Sequence, residues 1–232
     1  MDRLRVLVEG QTEEMFVREL LGPHLCRLGY SSVDAKIMGN ARLRTQRGGV
    51  RGWQETKRDI VRHLRQDRGV IVTTMVDYYA LPQGSSAHRA WPGRSDANSQ
   101  PVERRAATVE SAIAADVLTE MGNSWDSSRF VPFVVMHEFE SLLFSDCAAF
   151  ARGIGRPDVE PDFSSIRKVF KSPEEIDDSP RTHPSRRVAA LVPDYEKPFH
   201  GNLAAVAIGL ESIRRECHHF RGWLDRLEAA VE

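Results

Sequence analysis

Four acidic residues stand where apolar runs end. Glu9 follows Val6-Leu7-Val8, Asp77 follows Val70-Ile71-Val72-Thr73-Thr74-Met75-Val76, and Glu138 and Glu140 follow Phe130-Val131-Pro132-Phe133-Val134-Val135-Met136. Carboxylates gathered in one crevice offer hard oxygen ligands. Magnesium takes one or two such ligands and fills its remaining positions with water and substrate phosphate. A cation held there polarises a phosphoryl oxygen and acidifies a bound water, and a carboxylate outside its shell can move a proton. The residue types therefore point to metal-assisted chemistry at phosphate if the three runs are neighbouring strands. Glu138, nearer the strand end, takes the catalytic or metal role. Glu140 is a further candidate ligand, or else caps the next helix or pairs with an arginine. His137 reads as a histidine hydrogen-bonded beside carboxylates, with metal ligation left open.

The elements that must position these groups follow from periodicity. Residues 4–8 read as a strand, and Thr12 as the N-cap of a helix with Glu13 and Glu14 as partners of its dipole. Met15, Phe16, Leu20, Leu21 and Leu28 form that helix's buried stripe, kinked or divided at Gly22-Pro23. Residues 33–38 read as a second strand and 53–66 as a helix with Trp53, Ile60, Val61 and Leu64 turned inward. The near-continuous apolar run at 70–76 suits a strand buried on both faces of a parallel sheet. Residues 79–100, rich in Pro, Gly, Ser and Ala, read as a long loop of the kind that serves as a lid. There Trp91 and His88 either stack on a base or, for Trp91, pin the loop. Residues 101–121 are predicted helical and 130–136 a further strand. The alternation implies an α/β fold, a mainly parallel four-stranded sheet flanked by helices, in which catalytic groups sit at the carboxyl ends of strands.

After residue 150 the strand signal stops. A proline-rich stretch leads into helices from about Gly201, where Leu203, Val206, Leu210, Ile213, Cys217, Phe220, Leu224 and Leu227 keep a 3-4 spacing. This is read as helices packed on the sheet or on a partner, with a coiled-coil seam disfavoured by Gly209 and Gly222. The chain is accordingly divided into an α/β domain at 1–150 and a helical C-terminal extension packed on it at 151–232. His218 and His219 are taken as a surface pair.

Composition narrows the classes. The 232 residues carry a net charge of −1, so no global field draws nucleic acid to the chain. No apolar stretch reaches the roughly 20 residues of a membrane span, and the opening Met-Asp-Arg does not read as a signal peptide. Cys26, Cys147 and Cys217 are odd in number and lack CxxC spacing, which favours a reducing cytoplasm and argues against structural zinc.

Val8-Glu9-Gly10-x-Thr12-Glu13, followed by an apolar strand ending at Asp77, resembles the Toprim domain of topoisomerases, bacterial primases and overcoming-lysogenization-defect (OLD) nucleases. Five later pieces resemble a narrower set, the Toprim-like proteins often encoded beside ATPases in bacterial defence loci. They are Val76-Asp77-Tyr78-Tyr79-x-Leu81-Pro82, His137-Glu138-Phe139-Glu140, Pro184-Ser185-Arg186, Tyr195-x-Lys197 and Cys217-x-x-Phe220-x-x-Trp223-Leu224. The resemblance implies a Toprim-like fold, Glu9 as general acid/base or metal ligand, and Asp77 as a ligand to Mg²⁺ or Mn²⁺. The second aspartate of the family's Asp-x-Asp is replaced by Tyr79, a gap that Glu138 or Glu140 would have to fill. It further implies a nuclease acting on DNA or RNA, in phage defence, with an ATPase partner.

Phosphate contacts are sought in Arg42, Arg44, Arg47 and Arg51 of a glycine-containing loop, and in Arg186, Arg187 and Lys197 of the helical region. A solvated loop is the alternative for the first group. Two other functions stay open: a non-catalytic module that engages an ATPase, favoured by Tyr79, and a phosphatase-like hydrolase with Asp77 as nucleophile, disfavoured because Asp77-Tyr78-Tyr79 lacks a second acid. A homo-oligomer is also left open.

Overall fold

A computed structural model describes residues 2–38, 51–84, 86, 88–122, 124–176, 179 and 182–231. Its sheet is parallel throughout. Strand β1 (Arg3–Val8) lies between β2 (Ser32–Ile37) and β3 (Val70–Asp77). β3 then pairs with two short pieces, β4 (Phe130–Val131) and β5 (Val134–Val135). The order β2-β1-β3-β4 makes the three acid-ending runs neighbours, as their chemistry requires.

All eight residues of β3 are buried, because helices cover both faces. One face packs against α3 (Trp53–Gln66) and α5 (Val102–Met121), where Leu7, Val72 and Val76 meet Ile60, Leu64, Val109 and Ile113. On the other, Val6, Val8 and Met75 meet α1 (Gln11–Phe16), α2 (Gly22–Leu28) and the C-terminal helices. A short α4 (Arg94–Ala97) lies before α5. Beyond β5 come α6 (Phe139–Leu143), α7 (Cys147–Gly153), α8 (Glu160–Arg167), α9 (Pro184–Leu191), α10 (Lys197–Ile208), α11 (Leu210–Glu216) and α12 (His218–Ala229). The four inward residues expected of α3 are all buried. Among the described residues no helix is long and apolar enough to cross a membrane.

Several local expectations are corrected. Gly10, not Thr12, caps α1, and Glu13 reaches back so that its Oε2 accepts the Gly10 N–H at 2.9 Å. The division expected at Gly22-Pro23 is not seen: the chain stays helical from α1 into α2, and the irregularity is a π-helical turn at Val17–Leu21, where the Gly22 N–H donates to the Val17 carbonyl. Leu28 is 48% exposed, since that turn rotates the stripe away from the core. The expected fourth strand breaks at Pro132, which cannot donate to the ladder. There the Thr74 hydroxyl substitutes, donating to the Phe133 carbonyl at 2.9 Å and accepting the Phe133 N–H at 3.0 Å. The expected lid is tied down: Trp91 is buried, packs on Trp53 with ring centroids 5.0 Å apart, and donates to the Arg51 carbonyl at 2.9 Å. Pinning, rather than base stacking, is its contact.

The 3-4 stripe of the C-terminal region holds from Leu210 to Leu227, all buried, but Leu203 and Val206 face solvent because the chain turns at Gly209. His219 is no surface residue. It stacks on Phe133, and its Nε2 lies 2.8 Å from Glu110 Oε1. Trp223 is wholly buried, stacked on Phe133 at 4.3 Å, and its indole N–H donates to Thr73 Oγ1 at 2.8 Å. It joins the last helix to the central strand. Trp223→Ala is expected to lower unfolding free energy by about 3–5 kcal/mol, read by urea denaturation. A loss under about 1 kcal/mol would show that α12 is not integral to the core.

Candidate active site

β1 ends one residue before Glu9, and β3 ends on Asp77, so parallel pairing delivers both carboxylates to one end of the sheet. The Asp77 N–H points at Glu9 Oε2, 3.4 Å away. The Phe139 N–H donates to Asp77 Oδ1 at 2.9 Å, tying the Glu138–Glu140 segment to the same point. Glu13, in the first turn of α1, is buried here as well.

Glu138 and Glu140 are almost wholly buried and share one cation. Lys197 Nζ lies 2.9 Å from Glu140 Oε2 and 3.4 Å from Glu138 Oε2. Glu138 is also bonded to His183 Nδ1 at 3.0 Å, to the Ser185 hydroxyl at 3.0 Å and to the Ser185 N–H. Lys197 reaches the crevice because α10 lies close to α1. A Cβ placed at Gly201 would come within 3.1 Å of Tyr195 Oη and 3.2 Å of Thr12 Cγ2. Among the described residues, Glu140 Oε1 and Tyr195 Oη are buried without a hydrogen-bond partner.

Five carboxylates around one lysine leave uncompensated negative charge. Burial, reinforced by Glu13, pushes Glu9 up to about 7. Burial likewise pushes Glu140 up to about 7, against the pull of Lys197. Glu13 is raised by burial, and Asp77 well raised by burial and by Glu9. Glu138 goes the other way: burial opposes its charge, but Lys197, the Ser185 N–H and His183 outweigh that and hold it down. Lys197 is raised despite burial, by Glu140 and Glu138.

Among the described residues no three His, Cys, Asp or Glu side chains already surround a common point. The donor set nonetheless fits a hard divalent cation, which needs only one or two protein carboxylates. Glu9 and Asp77 are the pair that the fold preassembles, and excess negative charge is what such an ion relieves. Glu138 and Glu140 instead meet Lys197.

The sign of the pH dependence follows. In the metal-free protein Glu9 and Glu140 keep protons that the unfolded chain releases above about 4.5, so their contribution is greatest at low pH and declines as pH rises through 7. In EDTA the unfolding free energy is expected to fall between pH 5.5 and 8 by an amount on the order of 2 kcal/mol, seen as a lower melting temperature, and Mg²⁺ or Mn²⁺ should restore more of it at pH 8 than at 5.5. A metal-free stability that rises across this range would contradict the assignment of these groups.

Of the residues singled out in the sequence, Glu9, Asp77, Glu138, Glu140 and Lys197 are brought together. Arg42, Arg44 and Arg47 lie outside the described residues. Arg51 pairs with Glu55 at 3.2 Å. Arg186 follows Ser185 at the start of α9, and Arg187 donates to the Thr182 carbonyl. His137 is buried directly before Glu138. Glu13, His183, Ser185 and Tyr195 were not anticipated as site groups. The spacing Glu9-x-x-x-Glu13 was a usable signal for the first, whereas nothing local marks a histidine 45 residues from the glutamate it meets.

The family described as "Domain of unknown function (DUF4276)" matches residues 8–228. Two solved chains are similar over this chain's full length, both described as the C-terminal region of the Xanthomonas campestris pv. campestris OLD protein. The one phased with iodine is 17% identical, with a TM-score of 0.46 and 96% of that chain covered. The one phased with mercury is 16% identical, with a TM-score of 0.46 and 97% covered. A comparison with curated proteins finds no match.

Proposed function

The chain belongs to the DUF4276 family, and we propose that it is a Mg²⁺- or Mn²⁺-dependent phosphoryl-transfer enzyme, a Toprim-type nuclease acting on DNA or RNA. The observation that carries this reading is the convergence of Glu9, Glu13, Asp77, Glu138 and Glu140 at the carboxyl ends of adjacent parallel strands with Lys197 as the cation bonded among them. Glu9 and Asp77 would hold the divalent ion, which when bound supplies a Lewis acid for a phosphoryl oxygen and an acidified water. Glu140, with a proton affinity near neutrality and Oε1 free of other partners, is suited to hold or release a proton there. Lys197 balances charge on the Glu138–Glu140 side, and His183 and Ser185 fix Glu138 in place.

Incubating plasmid DNA and structured RNA with the protein in Mg²⁺ or Mn²⁺ tests the proposal, with the chelated protein as control. Cleavage that needs the ion and is lost in Asp77→Asn is the expected result. Wild type and variant equally inert, with and without a neighbouring ATPase, would sink it.

One observation favours a second reading. Lys197 already bonds Glu138 and Glu140, as a site without metal would require, and Tyr79 adds no acid after Asp77. On that reading the crevice belongs to a non-catalytic module for a partner ATPase, and co-purification with the ATPase in the absence of any cleavage would support it.

A further inference from the structure

Cations gather on the outward side of α3, across the sheet from α1 and the C-terminal helices. Among the described residues, Lys57, Arg58, Arg62 and Arg65 line a hollow of about 430 Å³ in which Glu120, on α5, is the one carboxylate. Three of these cations have an acidic partner: Lys57 lies 3.1 Å from Asp116, Arg62 2.6 Å from Asp59 and Arg65 3.6 Å from Glu120. The exposed Arg58 forms no ion pair among the described residues, and its Nε donates to the Gln54 carbonyl at 3.3 Å. The excess continues past Arg62 onto the strands. Lys36 of β2 donates to a histidine rather than to a carboxylate, its Nζ 3.2 Å from His63 Nε2. Arg5 of β1 is 33% exposed, and the carboxylate it meets, Asp34, is 3.8 Å away, too far for a hydrogen bond. Burial, with Lys36, Arg5 and Arg62 set against Asp59, pushes the His63 imidazole down to about 4. Lys36 is lowered as well, by burial and by Arg62 and Arg5.

We propose that this surface of α3 and the neighbouring strands holds the phosphate backbone of nucleic acid at a second locus, apart from the acidic crevice; this rests on the nuclease reading above and assigns that substrate its anchor. A chain of net charge −1 gives a polyanion no general attraction. The crevice, with its carboxylates around one lysine, repels phosphate until an ion is bound. Retention of the substrate therefore falls to a place where cations outnumber acids, and α3 supplies one. Extent selects a polymer over a small anion. Arg58 and Arg65 are seven residues apart, about 10 Å along the helix, and Lys36 and Arg5 stand on two strands beyond. One phosphate cannot meet donors so spread, whereas successive phosphates of one backbone can. Four of the six are arginines, whose planar fork fits phosphate bidentately. Their acidic partners do not forbid this, because an exposed ion pair contributes only about 0–1 kcal/mol and a guanidinium bonded once has donors left. Phosphate would give Arg58 the anion it lacks and relieve the like charges around His63.

The test is fluorescence anisotropy with labelled duplex DNA and a labelled oligouridylate, at salt concentrations from about 50 to 200 mM. EDTA is present, so that neither cleavage nor a metal bridge contributes. Wild type, Arg58→Ala, the Arg58→Ala, Arg62→Ala double variant, Arg62→Lys and, as control, Arg221→Ala on an exposed position of α12 are compared. With the tighter-binding probe, Arg58→Ala is expected to weaken binding about three- to tenfold in low salt, and the double variant roughly 10- to 100-fold. The slope of log affinity against log salt should become shallower by about 2 in the double variant and stay as in wild type in Arg62→Lys and Arg221→Ala. Arg58 has no ion pair to lose, so weakened binding in that variant is not loss of fold. Neither probe binding, or a double variant with wild-type affinity and salt slope, overturns the proposal. So does inorganic tripolyphosphate that displaces the probe as well as unlabelled polymer does at equal phosphate concentration, which would reduce the surface to a small-anion site. Failure of the nuclease reading looks different: binding that needs these arginines, without cleavage in Mn²⁺. Cleavage by the double variant with the wild-type KM refutes the anchor alone.

Discussion

Glu9→Gln is expected to lower metal-dependent cleavage by roughly a hundred- to ten-thousandfold while raising the stability of the metal-free protein. The two effects have one cause. Glu9 is largely enclosed, faces Glu13 and neighbours Asp77, and in the absence of an ion its negative charge is unwelcome. Glutamine keeps the shape and an oxygen able to accept the Asp77 N–H, so the fold loses nothing. It removes the charge that would bind the ion or take a proton. A purely structural glutamate would behave oppositely, its replacement destabilising the protein. Parallel measurement of cleavage rate in Mn²⁺ and of thermal unfolding in EDTA distinguishes the cases. Activity within about threefold of wild type would remove Glu9 from the chemistry.

Lys197→Met is expected to be the most destabilising change in the crevice at pH 8. The methionine preserves the length of the stem but leaves Glu138 and Glu140, both nearly fully buried, without their shared cation. Breaking a buried pair from one side typically costs about 3–5 kcal/mol. Because the Lys197 side chain is 44% exposed, a smaller loss of about 2–3 kcal/mol is expected here. The loss should shrink as pH falls from 8 to 5.5. Glu140 sits near 7 even with the lysine present, and without that positive charge it takes its proton at still higher pH. Urea denaturation at the two pH values reads this directly. A loss that is equal at both, or absent at pH 8, would mean that solvent compensates the pair.

The parts of this arrangement that were legible in the sequence are those set by local pattern. The apolar runs ending at Glu9 and Asp77 identified the strands, and burial of all of β3 on both faces explains why its run is unbroken. The inward face of α3 was readable for the same reason. Contacts that bridge distant segments were not. Glu138 meets Ser185 and Lys197 across 47 and 59 residues, and no periodicity encodes such a meeting. Tertiary packing also overrode local preference. Gly10 displaced Thr12 as a cap because Glu13 could satisfy its N–H, and a π-helical turn moved Leu28 off the core. Glu13 read as a dipole partner from its place in the first turn; only the fold shows that this turn faces the other acids. The burial of His219 depends on Glu110, and that of Trp91 on Trp53, partners supplied by other helices. A cis peptide bond between Met136 and His137 carries no signal in the residue types at all.

The central claim is that this crevice holds a divalent ion between Glu9 and Asp77. Crystals grown in EDTA and soaked in Mn²⁺, with anomalous data collected at the manganese edge, test it most directly. The expected result is an anomalous peak at a ligating distance of about 2.1 Å from carboxylate oxygens of both residues, absent in crystals of the Glu9→Gln, Asp77→Asn protein. A crevice without a peak at saturating Mn²⁺, with Lys197 still bridging Glu138 and Glu140, would contradict it.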